Sequence, residues 1–145
     1  MKMVNGKFDE KVLDTFLEQY QEFIKSVKLG EFNLDDLIRD YPSRKARYAL
    51  ALERMRSKLA ELKLQQKETY YRLYRKYKQD AVEKGLKITE EGVKSLIYTD
   101  EEYIEASKKV LEAEEKVGIL QACKEALEDQ GRMLFLLYEN PENKL

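Results

Sequence analysis

Histidine and tryptophan are absent from these 145 residues, cysteine occurs once, and there are only two prolines and six glycines. Without histidine the chain lacks the usual general base, the commonest metal ligand and the base of a Ser or Cys triad. A lone cysteine, Cys123, excludes an internal disulfide and a cysteine-based metal site. Its setting, LQACKEAL, is an apolar helical face, where a buried structural thiol is expected rather than a nucleophile. No Gly-rich phosphate loop is present. Acidic neighbours such as Glu112 and Glu115 lack the Glu-x-x-His pattern of a carboxylate metal bundle. These absences argue against an enzyme and against any bound metal or cofactor. No run approaches the roughly 20 apolar residues of a membrane span, and MKMVNGKFDEKV holds no signal-peptide core. A cytoplasmic protein with no membrane association is expected.

What the chain does have is 43% hydrophobic and 38% charged residues, rich in Ala, Glu, Lys, Leu and Arg. That composition predicts an all-α fold, and the length suits a single domain over residues 1–145. Over 8–29, Val12, Leu13, Phe16, Leu17, Tyr20, Phe23, Ile24 and Val27 recur at helical spacing, predicting an N-terminal amphipathic helix ended by Gly30. A short helical turn, LDDLIRD, follows with Asn33 as its N-cap, and Tyr41-Pro42-Ser43 should break the chain, leaving Ser43 to cap the next element.

A long helix is predicted over 44–84, with Tyr48, Leu52, Met55, Leu59, Leu62, Gln66, Thr69, Leu73 and Tyr77 at coiled-coil spacing and Gly85 as the stop. The connector should hold one short helix after Thr89, with Val93, Leu96 and Ile97 turned inward. Thr99 and Glu102 form a capping-box pattern that opens a second long helix over 100–138. Its inward positions include Tyr103, Val110, Val117, Leu120, Leu127, Leu134 and Tyr138. The connector is long enough for the two long helices to fold back as an antiparallel, coiled-coil-like hairpin. Two such stripes need more cover than one partner supplies, so a homo-oligomer is expected.

The overall charge of −1 hides an uneven distribution. Residues 44–78 hold twelve Lys and Arg against three Glu, a net +9, between segments of −3 and −7. A basic helix can simply pair with an acidic one. A cationic stripe beside aromatic rings is also what a single-stranded nucleic acid requires, because cations follow the phosphates while rings stack on bases. On a helical wheel, Tyr70, Leu73, Tyr74 and Tyr77 of YYRLYRKYK lie with the apolar seam, leaving Tyr71 as the stacking candidate. Arg72, Arg75, Lys76 and Lys78 are the nearest phosphate-binding candidates, and Arg54, Lys58, Lys63 and Lys67 extend the track.

From about Leu34 to Met133 the order of parts resembles the UvsY-like recombination mediators of tailed bacteriophages. The resemblance is strongest in KSLIYTDEEYIEASKKVLEAEEKVGILQACKEALEDQGRML. That family also carries a run of the type Lys-x-Arg-Leu-x-Tyr-Tyr late in its central helix, linked to DNA binding. Arg72-Leu73 match its Arg-Leu, whereas Tyr70 stands at the Lys position and Arg75-Lys76 at the two Tyr positions. The resemblance implies a ring-like homo-oligomer that binds single-stranded DNA. It further implies partnership with a RecA-type recombinase and single-strand-binding protein, in the host cell cytoplasm if the gene is a phage's. From the residues alone, a structural or adaptor coiled coil that binds only protein stands as the alternative.

Overall fold

The computed structural model describes residues 3, 4, 7, 8, 15, 18, 19, 21, 22 and 34–139. Near the start, β1 (Met3–Val4) pairs antiparallel with β2 (Lys7–Phe8), Met3 opposite Phe8. Phe8, expected as the first residue of a helix, is therefore in a strand. The sequence between the two strands, Asn5-Gly6, is a favoured hairpin dipeptide that helical periodicity does not register. Thr15, Glu18, Gln19, Gln21 and Glu22 are helical and exposed, as the polar face of the expected N-terminal helix requires. Its eight apolar positions lie outside the described residues, as does the Asn33 cap.

Three helices follow: α1 (Leu34–Glu83), α2 (Glu90–Tyr98) and α3 (Glu101–Glu139). The fold is all-α, apart from the two-residue strands, and the long helix begins well before residue 44. Pro42 lies inside α1 and does not break it. Proline lacks the N–H that would bond the carbonyl of Ile38, and a mid-helix proline costs ~3 kcal/mol. That cost is met by packing, since Leu37, Ile38 and Tyr41 cover the buried Leu134 together with Met133. Burying several such side chains at ~1.5–3 kcal/mol each outweighs one missing hydrogen bond. Ser43, expected as a cap, is an interior helical residue whose Oγ accepts a hydrogen bond from Arg47 Nη2 at 3.2 Å.

At the other end of α1, Gly85 adopts φ +65°. The Gly85 amide donates to the Val82 carbonyl at 3.1 Å and the Leu86 amide to that of Ala81 at 2.8 Å, the two bonds of a Schellman stop. Thr89 caps α2 by accepting from the Gly92 amide at 3.0 Å. Val93 and Ile97 are buried as expected, but Leu96 is exposed. Thr99 does not cap α3. Its hydroxyl turns back to the Ser95 carbonyl at 2.9 Å, closing the end of α2, and Asp100 Oδ1 accepts from the Glu102 amide at 2.9 Å. With two adjacent residues able to cap, the shorter link between α2 and α3 gives each helix end its own side chain.

The described residues cluster into two compact units, Met55–Val117 and the combination of Met1–Arg54 with Gly118–Leu145. In the first, Arg72 pairs with Glu102, Gln66 with Ser107 and Lys63 with Glu114, so α1 and α3 run antiparallel. Its core comprises Met55, Leu62, Leu73, Ala81, Val93, Ile97, Val110 and Ala113. In the second unit the same antiparallel pairing buries Tyr48, Ala51 and Leu52 of α1 and Leu120, Cys123, Leu127, Gln130, Leu134 and Leu137 of α3. Burial pushes the Cys123 thiol pKa up, as suits a structural cysteine. Tyr138, expected inward, is exposed, and Leu137 takes its place. No helix among the described residues is long and apolar enough to cross a membrane.

Candidate nucleic-acid interface

The stretch from Lys63 to Lys78 lies on α1 in the unit Met55–Val117, and Leu73 fixes its orientation. Leu73, Val93 and Ile97 are fully buried, with Tyr70, Tyr74, Tyr77, Ile88 and Tyr103 packed around them. Three of the four tyrosines in YYRLYRKYK are thus packing residues. Two of them are also tied by their hydroxyls. Tyr74 donates to the Glu90 carboxylate at 2.9 Å, and Tyr77 donates to Asp100. The Asp100 hydrogen bond, helped by burial, pushes the Tyr77 pKa up to about 12, and the same bond lowers that of Asp100. Tyr71 differs, being half exposed.

Four of the nine expected nucleic-acid-binding residues are engaged by carboxylates. Lys78 Nζ sits 2.7 Å from Glu90 and 5.7 Å from the centre of the Tyr74 ring. Its hydrogen bond to Glu90 raises the Lys78 pKa and lowers that of Glu90. Arg72 is paired with Glu102 of α3. Lys63 lies 3.8 Å from Glu114, and Lys58 is 3.7 Å from Glu61 one turn along α1. Arg72 and Lys78 therefore serve first as ties from α1 to its neighbours, which interrupts the cationic track expected along the helix. Charge summed along one helix does not register carboxylates brought in from two others.

Arg54, Lys67, Arg75 and Lys76 have no ion-pair partner among the described residues. Arg54 belongs to the other compact unit. Lys76 Nζ stands 5.6 Å from the centre of the Tyr77 ring and adds to the positive charge that lowers the Asp100 pKa. Lys67 and Arg75 stand one helical turn to either side of Tyr71. At ~100° per residue the three fall within about 80° of arc, facing away from Leu73, with ~12 Å of helix axis between the two cations. Leu64 and Val82 continue the same face and are exposed, outward apolar positions that a search for the buried seam passes over. Glu68 shares this surface as its one acidic member between Lys67 and Arg75.

Beside this row is a cluster of rings. Tyr70 meets Tyr71 edge-on at 5.5 Å between centroids and Tyr98 at 6.3 Å, and Tyr98 meets Tyr103 at 5.6 Å. An open cleft of about 510 Å³ lies on the other flank of α1, where Glu101, Glu102 and Glu105 face Gln65 and Thr69. Lys109 also lines it, and Glu102 is the partner of Arg72, so the cleft is acidic but partly neutralised. Among the described residues no group of three or more His, Cys, Asp or Glu is arranged to hold a metal ion. Compared with protein-family models, characterised proteins and solved structures, the chain matches none.

Proposed function

We propose that this chain is a single-stranded DNA-binding recombination mediator or accessory protein, which helps load a RecA-type recombinase onto DNA coated with single-strand-binding protein. The supporting observation is the exposed row of Lys67, Tyr71 and Arg75, two cations without carboxylate partners among the described residues around a half-exposed ring. Phosphates meet the cations and a base stacks on the ring, a mode that reads no sequence. The mediator role, the ring-like homo-oligomer and the recombinase and single-strand-binding protein partners come from the UvsY-like resemblance, with the acidic segments as surfaces for protein.

The test is a salt series of oligothymidylate binding by the wild type and by Lys67→Gln/Arg75→Gln. Each phosphate contact on a single strand contributes about 0.7 to the slope of log K against log salt. Loss of two contacts should lower the slope by about 1.4 and weaken binding about 25-fold at 0.1 M salt. An unchanged slope rules the row out.

The pairing of Lys58, Lys63, Arg72 and Lys78 with carboxylates favours a second reading, an adaptor coiled coil that binds only protein. It predicts no oligonucleotide binding even at low salt and a discrete protein partner in a pull-down.

A further inference from the structure

Tyr98 closes the last turn of α2 and is 54% exposed, although its neighbour Ile97 and Val93 one turn earlier are completely buried. Those two anchors hold α2 against Leu73, so the Tyr98 ring is presented on a fixed support rather than on a loose connector. Its ring neighbours are Tyr70 at 6.3 Å and Tyr103 at 5.6 Å between centroids, tilted to it by 45° and 55°. Of the six tyrosines of this unit, Tyr71 and Tyr98 are the exposed ones and the other four are half-buried. Tyr74 and Tyr77 spend their hydroxyls on Glu90 and Asp100, whereas the hydroxyls of Tyr71 and Tyr98 bond to nothing among the described residues. Tyr70 stands between Tyr71 and Tyr98, perpendicular to the first and tilted 45° to the second. It keeps the two exposed rings from covering each other, and their separation cannot exceed the sum of their distances to Tyr70. Lys94, one turn before Tyr98, makes a loose 3.9 Å contact with the exposed Glu91 and adds to the positive charge that lowers the Glu90 pKa.

We infer that Tyr98 is a second stacking ring of the nucleic-acid interface, so that two unpaired DNA bases are taken, one on Tyr71 and one on Tyr98, with Lys67 and Lys94 on the adjoining phosphates. This rests on the single-stranded DNA reading above. A duplex keeps its bases stacked on one another and offers neither ring a face, so the pair of rings selects unpaired strands. The side chains come from two different helices, α1 and α2, and the site depends on α2 being docked.

The experiment compares full-length wild type, Tyr98→Leu, Tyr98→Phe and Lys67→Gln/Arg75→Gln on a labelled oligothymidylate and on a duplex of equal length. Thermal unfolding confirms that each variant is folded. Tyr98→Leu keeps apolar bulk but no aromatic face, and should weaken single-strand binding about 5- to 150-fold without changing the salt slope. Tyr98→Phe should bind like the wild type, because stacking needs the ring and not the hydroxyl. The duplex should bind more weakly than the single strand. If Tyr98→Leu binds like the wild type while the charge variant loses affinity, the second ring is wrong and the single-strand reading survives. If the wild type binds no oligothymidylate at low salt, the single-strand reading itself fails. Equal binding of duplex and single strand overturns stacking on either ring.

Discussion

Arg72 and Arg75 are three residues apart on one helix and should behave as different kinds of residue. The Arg72 guanidinium is paired with Glu102 across to α3, with side chains 50% and 57% exposed, whereas Arg75 has no such partner among the described residues. For Arg72→Gln the expected loss is that of an exposed ion pair, ~0–1 kcal/mol of folding stability. The salt slope of DNA binding should not move, because a cation already neutralised by Glu102 releases no phosphate counterion. For Arg75→Gln stability should stay within ~0.5 kcal/mol, as for a surface change that breaks no contact. One phosphate contact is lost, so the slope should fall by about 0.7, giving about 5-fold weaker binding at 0.1 M salt, or ~1 kcal/mol. Urea denaturation measures the first quantity and fluorescence anisotropy over a salt series the second. If Arg72→Gln lowers the slope as much as Arg75→Gln, the pairing with Glu102 does not govern which cations meet DNA, and the assignment built on it is wrong.

Further consequences follow from the fold. Pro42→Ala should stabilise the chain by about 1–3 kcal/mol in urea titration, since its N–H restores the hydrogen bond to the Ile38 carbonyl within α1, partly offset by a freer unfolded chain; destabilisation would mean that α1 needs the proline. Gly131→Ala should cost about 1–3 kcal/mol, because a methyl there would overlap the Tyr41 hydroxyl; adding Tyr41→Ala should remove most of the clash, leaving the two changes non-additive. Stability should be flat between the ordinary carboxylate and tyrosine ranges. The Asp100 contribution, with a lowered folded pKa, is present above 3.8 and lost as pH falls through that lowered value. The Tyr77 contribution, raised to about 12, is present below 10.0 and lost as pH rises through about 12. Denaturation midpoints across pH check both limbs, and Tyr77→Phe should make the alkaline one shallower, leaving the share of Tyr48, which burial also raises to about 12, and that of Lys78.

Tyr48, Leu52, Met55, Leu62 and Leu73 were legible as core because a stripe at three- and four-residue spacing has only one buried side. Gly85 and Thr89 were legible because a left-handed stop and an N-cap each have a local chemistry. Pro42 was misread because the local penalty is outweighed by Leu37, Ile38 and Tyr41 packing on a residue more than ninety positions away. Tyr138 was misread because Leu134-Phe135-Leu136-Leu137-Tyr138 is apolar at every angle, so spacing alone does not select Leu137. In the candidate site, the exposure of Tyr71 followed from its angle to Leu73. Which cations stay unpaired did not, because Glu90, Glu102 and Glu114 reach α1 only through tertiary structure. Tyr98 was missed since α2 was read only for its inward positions.

The most direct test of the central claim is the equilibrium binding of wild-type protein to a labelled oligothymidylate at low and at moderate salt. Binding that is tight at low salt and falls with a log–log slope of about −1.4 or steeper is the predicted result. No binding at low salt, or binding indifferent to salt, contradicts a DNA interface built on Lys67, Tyr71 and Arg75.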